Sequence, residues 1–177
     1  MLTLSNLLSF SRVLLIIPFL YYLSFNAPEH NWIAFLTGLL TGLTDYLDGK
    51  LARRGDKVST LGKYIDPTAD KLFVAAAVIY FTFYRGNMPT WFGLMVVGKD
   101  ALILLGGLVL LWKGIVVQAD RPGKITVCAM GAVLTCYIFN LDEIGKWATW
   151  AATLLVLHST YFYIAKFVRL QCGARPQ

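Results

Sequence analysis

Apolar residues run along the chain in six blocks, near positions 10–26, 32–53, 60–84, 90–112, 122–141 and 144–168. Each block approaches the ~20 residues that an α-helix needs to cross the hydrocarbon core of a bilayer. The breaks between them carry turn chemistry: Asn26-Ala-Pro28-Glu29, Arg85-Gly86-Asn87-Met-Pro89, Asp120-Arg121-Pro122-Gly123 and Asn140-Leu-Asp142-Glu143. Ahead of the first block, Leu2, Leu4, Leu7 and Leu8 are interleaved with Thr3, Ser5, Asn6 and Ser9, which predicts a short amphipathic helix lying in the membrane interface. The expected fold is all-α and integral to the membrane: six transmembrane helices preceded by that interfacial helix, in a single domain over residues 1–177.

Composition supports this class. Of 177 residues, 57% are apolar and only 15% charged, beyond what an ordinary soluble domain shows. The start lacks the basic segment and small-residue cleavage site of a removable signal, and Arg12 interrupts the early apolar stretch, so the amino terminus is expected to be retained. Cys128, Cys136 and Cys172 show no metal-type spacing, and no disulfide is expected among them.

The net charge of +6 is distributed unevenly. Six crossings put Arg12, the group Lys50, Arg53, Arg54, Lys57 and Lys63, the group Lys113, Arg121 and Lys124, and the tail residues Lys166, Arg169 and Arg175 on one side, leaving Arg85 and Lys146 on the other. Cytoplasmic segments are the ones enriched in Lys and Arg, so both termini are predicted cytoplasmic. Anionic lipid accounts for the basic balance. No basic-aromatic pattern of a nucleic-acid reader is present, and nucleic acid is excluded as a partner.

Within this apolar chain stand four carboxylates, Asp45, Asp48, Asp66 and Asp70. A charged side chain near the bilayer centre costs roughly 2.5–3.5 kcal/mol even on a lenient insertion scale, so such a group needs a compensating partner. Spacings of three and four residues put each pair on one face of its helix. A hairpin of the second and third crossings would bring all four together near the cytoplasmic side. Like charges raise one another's pKa, whereas Mg²⁺ or Mn²⁺ prefers hard oxygen ligands and would hold the cluster ionised. Two such ions could clamp the attacking and leaving oxygens of a phosphoryl transfer. Gly49, Ala52 and Gly62 leave room for a nucleotide to approach the backbone, and Arg53 offers phosphate a planar fork.

Asp45-x-x-Asp48-Gly49-x-x-Ala52-Arg53, eight residues, Gly62, three residues, Asp66, three residues, Asp70 resembles the signature of the CDP-alcohol phosphatidyltransferase family at all eight positions. Asn6-Leu-Leu-Ser9-Phe-Ser-Arg12 is similar to the segment that members place beside the nucleotide. The resemblance implies a lipid-synthesising enzyme in which an alcohol displaces CMP from CDP-diacylglycerol. It implies that Asp45, Asp48, Asp66 and Asp70 hold two divalent ions, that Asp70 also serves as the base, and that Asn6, Arg12, Gly49, Ala52, Arg53 and Gly62 line the CDP site. A homodimer is implied as well.

Length, the Thr44-Asp45 opening and the Leu-Gly62-Lys-Tyr-Ile-Asp66-Pro67-Thr-Ala-Asp70-Lys71 stretch look most like the bacterial phosphatidylglycerophosphate synthase branch, whose acceptor is glycerol 3-phosphate. That branch implies a bacterial inner membrane and a cytoplasmic active site. Thr44, Lys99, Arg121 and Lys124 are the candidate acceptor residues. Lys99-Asp100 stands where this branch usually has an Arg-acid pair, and Gly123-Lys124-Ile125-Thr126 shortens its Gly-Lys-x-Lys-Thr. Cardiolipin synthase, phosphatidylinositol-phosphate synthase and phosphatidylserine synthase are the alternatives within the family. An ion-coupled transporter is the alternative of another class; the acids lie toward one face and residues 90–168 hold no second copy of the pattern, which disfavours it.

Plainer readings apply elsewhere. Gly38-x-x-x-Gly42 suits a helix-packing face. Trp32, Trp91, Trp112 and Trp147 suit interfacial anchors. His158 is expected to be packed and hydrogen-bonded, and His30 to lie in a loop.

Overall fold

The computed structural model describes residues 4–52, 62–112 and 121–171. Side chains are described within these except at 4–9, 45–52, 62–70, 110–112, 121–124 and 169–171. The described residues are helical almost throughout: α1 (Leu4–Phe25), α2 (Pro28–Ala52), α3 (Gly62–Ile79), a π-helical turn (Tyr80–Tyr84), α4 (Thr90–Trp112), α5 (Arg121–Ile138) and α6 (Asp142–Gln171).

Helix ends fall where the chain supplies a residue able to leave the α region. Asn26 (φ 50°) follows α1 and Asn140 (φ 58°) follows α5, the left-handed conformation that asparagine tolerates better than most residues. After Asn140, the Leu141 amide reaches back to the Cys136 carbonyl at 2.9 Å, the long closing bond of a Schellman-type end. The side-chain amide of Asn140 also donates to the side-chain oxygen of Asn26 at 3.1 Å. Pro28 opens α2, where a missing N–H costs nothing. Gly86 takes φ 70° in the turn after the π segment.

Three expectations are corrected. The amino-terminal segment is not a separate interfacial helix: from Leu4 it continues unbroken into α1, because no glycine, proline or turn residue stands between Ser9 and Arg12. His30 lies in the first turn of α2, its ring stacked on Phe25 at 4.6 Å, because helix begins directly at Pro28. His158 is exposed and rests against the ring of Phe162 at 4.8 Å, because its position on α6 faces away from the buried residues Val156 and Ser159.

The chain divides into two compact units, residues 1–80 with 138–140, and residues 81–137 with 141–177. In the first, α1 packs along both α2 and α3. Phe19 meets Phe73 at 4.7 Å between ring centroids, and Trp32 meets Phe139 at 4.7 Å. In the second, the interior is built from Phe92 and Val96 of α4, Met130, Val133 and Tyr137 of α5, and Ala152 and Val156 of α6. The Tyr137 and Thr149 hydroxyls lie 3.2 Å apart inside it. Thr90–Val109 and Asp142–Val168 are long and apolar enough to cross a membrane, while Phe10–Phe25, Lys71–Tyr84 and Ile125–Ile138 are shorter apolar stretches. The two long segments turn much of their apolar surface outward, with Leu94, Leu102, Leu105, Trp147, Leu154 and Leu157 exposed, as lipid contact requires and a soluble core would not.

Candidate active site

α2 and α3 carry the four aspartates, Asp45 and Asp48 near the end of one and Asp66 and Asp70 near the start of the other. Their depth can be read from packing farther along the same helices. Phe19 meets Phe73, and four residues on from Phe19 the Leu23 carbonyl accepts a hydrogen bond from the Tyr80 hydroxyl at 3.0 Å, so α1 and α3 run in the same direction. Phe25 stacks on His30 whereas Phe19 faces Gly38, so α1 and α2 run in opposite directions. It follows that α2 and α3 are antiparallel.

Phe19, Gly38 and Phe73 meet at one point of this unit, since a Cβ on Gly38 would lie 3.7 Å from Phe19 Cε2 and 3.9 Å from Phe73 Cζ. Arg12, Asp45 and Asp66 each stand seven residues from that junction on their own helix, all toward the same end. Seven residues is about 10 Å of α-helix and returns to nearly the same face, drifting only about 20°. Helix geometry therefore sets positions 12, 45 and 66 at one level, on the faces that meet at the junction. Asp48 lies about one turn farther out and Asp70 about one turn nearer.

Arg12 is 0% exposed. A guanidinium taken wholly out of solvent requires acceptors around it, which suits a position among carboxylates or phosphates. The side chains of Asn6, Asp45, Asp48, Gly49, Ala52, Gly62, Asp66 and Asp70 lie outside the described set, although their helices are within it, and Arg53 lies outside the described residues altogether. Among the described side chains, which do not include those of the four aspartates, no group of three or more His, Cys, Asp or Glu is placed to hold a metal. As a donor set, four carboxylates spread over about three turns of two antiparallel helices have the hard-oxygen chemistry that Mg²⁺ or Mn²⁺ takes.

The candidate acceptor residues fall in two places. Thr44 is half-buried on α2, and its hydroxyl donates to the Thr41 carbonyl at 2.8 Å. Lys99 on α4 pairs with its neighbour Asp100, Nζ to Oδ1 at 3.0 Å, both largely buried. Arg121 and Lys124 lie in the first turn of α5, their side chains outside the described set. Cys128 and Cys136 are free, and Cys172 lies outside the described residues.

What sequence reasoning missed is the polar end of the second unit's interior. Among the described side chains, following each helix toward the start of α5, the last buried residue of α4 is Asp100, the first of α5 is Thr126, and the last of α6 is Ser159. The signal was available for α4, where Phe92, Val96 and Asp100 share one four-residue period. It was weaker for α6, where hydroxyl residues recur along the whole helix.

Comparison with known proteins shows the family. Residues 2–158 match the sequence model of the family described as CDP-alcohol phosphatidyltransferase. A Streptomyces coelicolor protein named cardiolipin synthase (CMP-forming) is 36% identical over 165 residues, covering 91% of this chain and 74% of its own. Proteins named CDP-diacylglycerol–glycerol-3-phosphate 3-phosphatidyltransferase are 30% identical in Aquifex aeolicus, covering 79% of this chain and 78% of their own, and 31% identical in Bacillus subtilis, covering 76% and 75%. With the family match spanning most of its length, and the two aspartate pairs seated on antiparallel helices, the chain belongs to the CDP-alcohol phosphatidyltransferase family.

Proposed function

We propose that this enzyme transfers the phosphatidyl group of CDP-diacylglycerol to glycerol 3-phosphate, releasing CMP and forming phosphatidylglycerophosphate. The observation that carries the reading is the eight-position aspartate signature, borne on two helices whose register makes Asp45 and Asp66 level with buried Arg12. Asp45, Asp48, Asp66 and Asp70 hold two divalent ions, Mg²⁺ or Mn²⁺, which neutralise charge on the diphosphate. Asn6, Arg12, Gly49, Ala52, Arg53 and Gly62 receive the CDP moiety. Asp70 takes the proton from the acceptor hydroxyl as its oxygen bonds to the phosphorus that bears diacylglycerol. The diphosphate bond breaks, and CMP leaves with the bridging oxygen.

In this reading, residues 1–177 work as one six-crossing domain, both termini lie on the cytoplasmic side of a bacterial inner membrane, and the protein is a homodimer. The Lys and Arg distribution supports the orientation. Thr44, Lys99, Arg121 and Lys124 serve the acceptor, whose anionic phosphate calls for cationic contacts.

A second acceptor is favoured by one specific observation. The relative at 36% identity carries the name cardiolipin synthase (CMP-forming), and in that case the accepted alcohol is phosphatidylglycerol. The test is purified protein with CDP-diacylglycerol and Mg²⁺, offered glycerol 3-phosphate, phosphatidylglycerol, inositol phosphate and serine in turn, reading CMP release and product mass. Phosphatidylglycerophosphate formed from glycerol 3-phosphate is the expected result. Cardiolipin from phosphatidylglycerol alone would replace the acceptor and keep the reaction class. No CMP release with any acceptor, together with metal-independent uptake of a solute, would overturn the class.

A further inference from the structure

Of the largest side chains that the structure takes wholly out of solvent, Arg12 alone carries a charge, and it has a partner there. It lies on the apolar stretch of α1, where a buried guanidinium is held in place by anions. The first unit narrows the choice of anion. Among its described side chains the one carboxylate is Glu29, nine residues from Gly38 on α2 and on the side of the Phe19–Gly38–Phe73 junction away from Arg12. At the level of Arg12 the sequence supplies Asp45 and Asp66, each seven residues from that junction and so on the face of its helix that meets there. Asp48 and Asp70 follow within about one turn.

Charge balance separates two states of this group. With the aspartates free of metal, Arg12 is the buried cation set among them, and it offsets part of their mutual repulsion. Two divalent ions would balance the four carboxylates in full, which leaves the guanidinium as an uncompensated cation in apolar surroundings. A diphosphate is an anion whose oxygens suit its planar fork. The other cation described on this side of the junction is Lys71, two residues from Phe73 and only half-buried, where solvent already compensates its charge.

We propose that Arg12 is a counter-ion that changes partners: it pairs with Asp45 and Asp66 while the aspartates are free of metal, and it passes to the diphosphate of the CDP moiety once those carboxylates are taken by divalent ions. Arg12 and the ions therefore compete for the same oxygens until nucleotide arrives. The proposal rests on the reading that the four aspartates hold divalent ions, and it adds a competition inside that site which the transfer reaction does not itself require.

The experiment measures Mn²⁺ binding to the full chain without nucleotide, by electron paramagnetic resonance of the free ion, together with thermal midpoints in chelator and in saturating Mg²⁺. The unmodified protein is compared with Arg12→Met, Arg12→Lys and Lys71→Met. Arg12→Met should bind Mn²⁺ at least about five-fold more tightly, the low end of ordinary coupling between sites. Its midpoint should fall in chelator and largely recover in Mg²⁺. Arg12→Lys keeps the charge and should stay near the unmodified affinity. Lys71→Met removes the same unit of charge from a half-buried position and should also stay near it. Arg12→Gln, which loses the charge and keeps a hydrogen-bonding end, carries the same expectation as Arg12→Met if methionine disturbs folding. Unchanged or weaker Mn²⁺ binding in the neutral Arg12 variants, or an equal loss of midpoint in chelator and in Mg²⁺, would overturn the counter-ion role. An equal gain in Lys71→Met would reduce the effect to net charge and overturn it as well. Failure of the unmodified protein to bind Mn²⁺ would instead overturn the metal reading, and this proposal with it.

Discussion

Phe73 of α3 closes over Gly38 of α2, with its Cζ 3.9 Å from where a Cβ would stand and the ring of Phe19 against it at 4.7 Å. This contact fixes the register of the two helices that carry the aspartates. Gly38→Ala adds a methyl at ordinary van der Waals distance and should leave activity and thermal midpoint nearly unchanged. Gly38→Leu must displace both rings. It should cost about 1–3 kcal/mol and lower kcat more than stability alone explains, measured by thermal unfolding and CMP release. Wild-type kcat in Gly38→Leu would mean that this junction does not set the aspartate register.

A tighter contact lies in the second unit. A Cβ on Gly93 would come within 2.9 Å of Thr82 Cγ2 and overlap the Thr82 hydroxyl. Gly93→Ala should therefore destabilise by about 1–3 kcal/mol. Thr82→Ala removes the colliding atoms, so the double variant should regain most of the midpoint lost. Thermal unfolding of the four proteins closes the cycle, and strict additivity would show that the two residues do not touch.

Chelation should abolish CMP release, and added Mg²⁺ or Mn²⁺ should restore it. Asp70→Asn keeps shape but cannot accept a proton, so turnover should fall by about 10²–10⁴-fold with CDP-diacylglycerol binding still measurable. Turnover surviving in that variant would remove Asp70 from the role of base.

Arg12 offers a sharper test than an exposed cation would, because it is entirely out of solvent. Arg12→Met preserves much of the apolar stem and removes the charge. Its kcat/KM should fall at least about 100-fold with helix content retained in circular dichroism, since a guanidinium among carboxylates or phosphates carries charge-assisted hydrogen bonds. Arg12→Lys keeps the charge, loses the fork and should fall between the two. Full activity in Arg12→Met would place this residue outside the nucleotide site.

Helix existence was legible because the punctuation was chemical: Asn26, Pro28, Gly86 and Asn140 each occupy the turn position their backbone preference suits. The π turn at Tyr80–Tyr84 was not legible, since Tyr-Phe-Thr-Phe-Tyr reads as ordinary apolar helix. Gly38-x-x-x-Gly42 was read as a packing face: Gly38 meets two aromatic rings, while among the described residues nothing lies within 4 Å of a Cβ on Gly42. Spacing alone could align Asp45 with Asp48 and Asp66 with Asp70. Levelling one pair against the other needed a tertiary contact, Phe73 on Gly38, which no local pattern encodes. Ser159 was missed for a related reason, because a serine between His158 and Thr160 looks like any other small polar residue until its burial is known.

The Lys99–Asp100 pair bears on biogenesis as well as on chemistry. Lys99 and Asp100 are adjacent on a segment apolar enough to span a bilayer, and together they carry no net charge. A nascent chain can thus surrender this stretch to lipid as a neutral unit, whereas replacing either partner alone would strand an ion worth roughly 2.5–3.5 kcal/mol during insertion. Single substitutions here should reduce the yield of integrated protein more than does the charge swap that combines Lys99→Asp with Asp100→Lys.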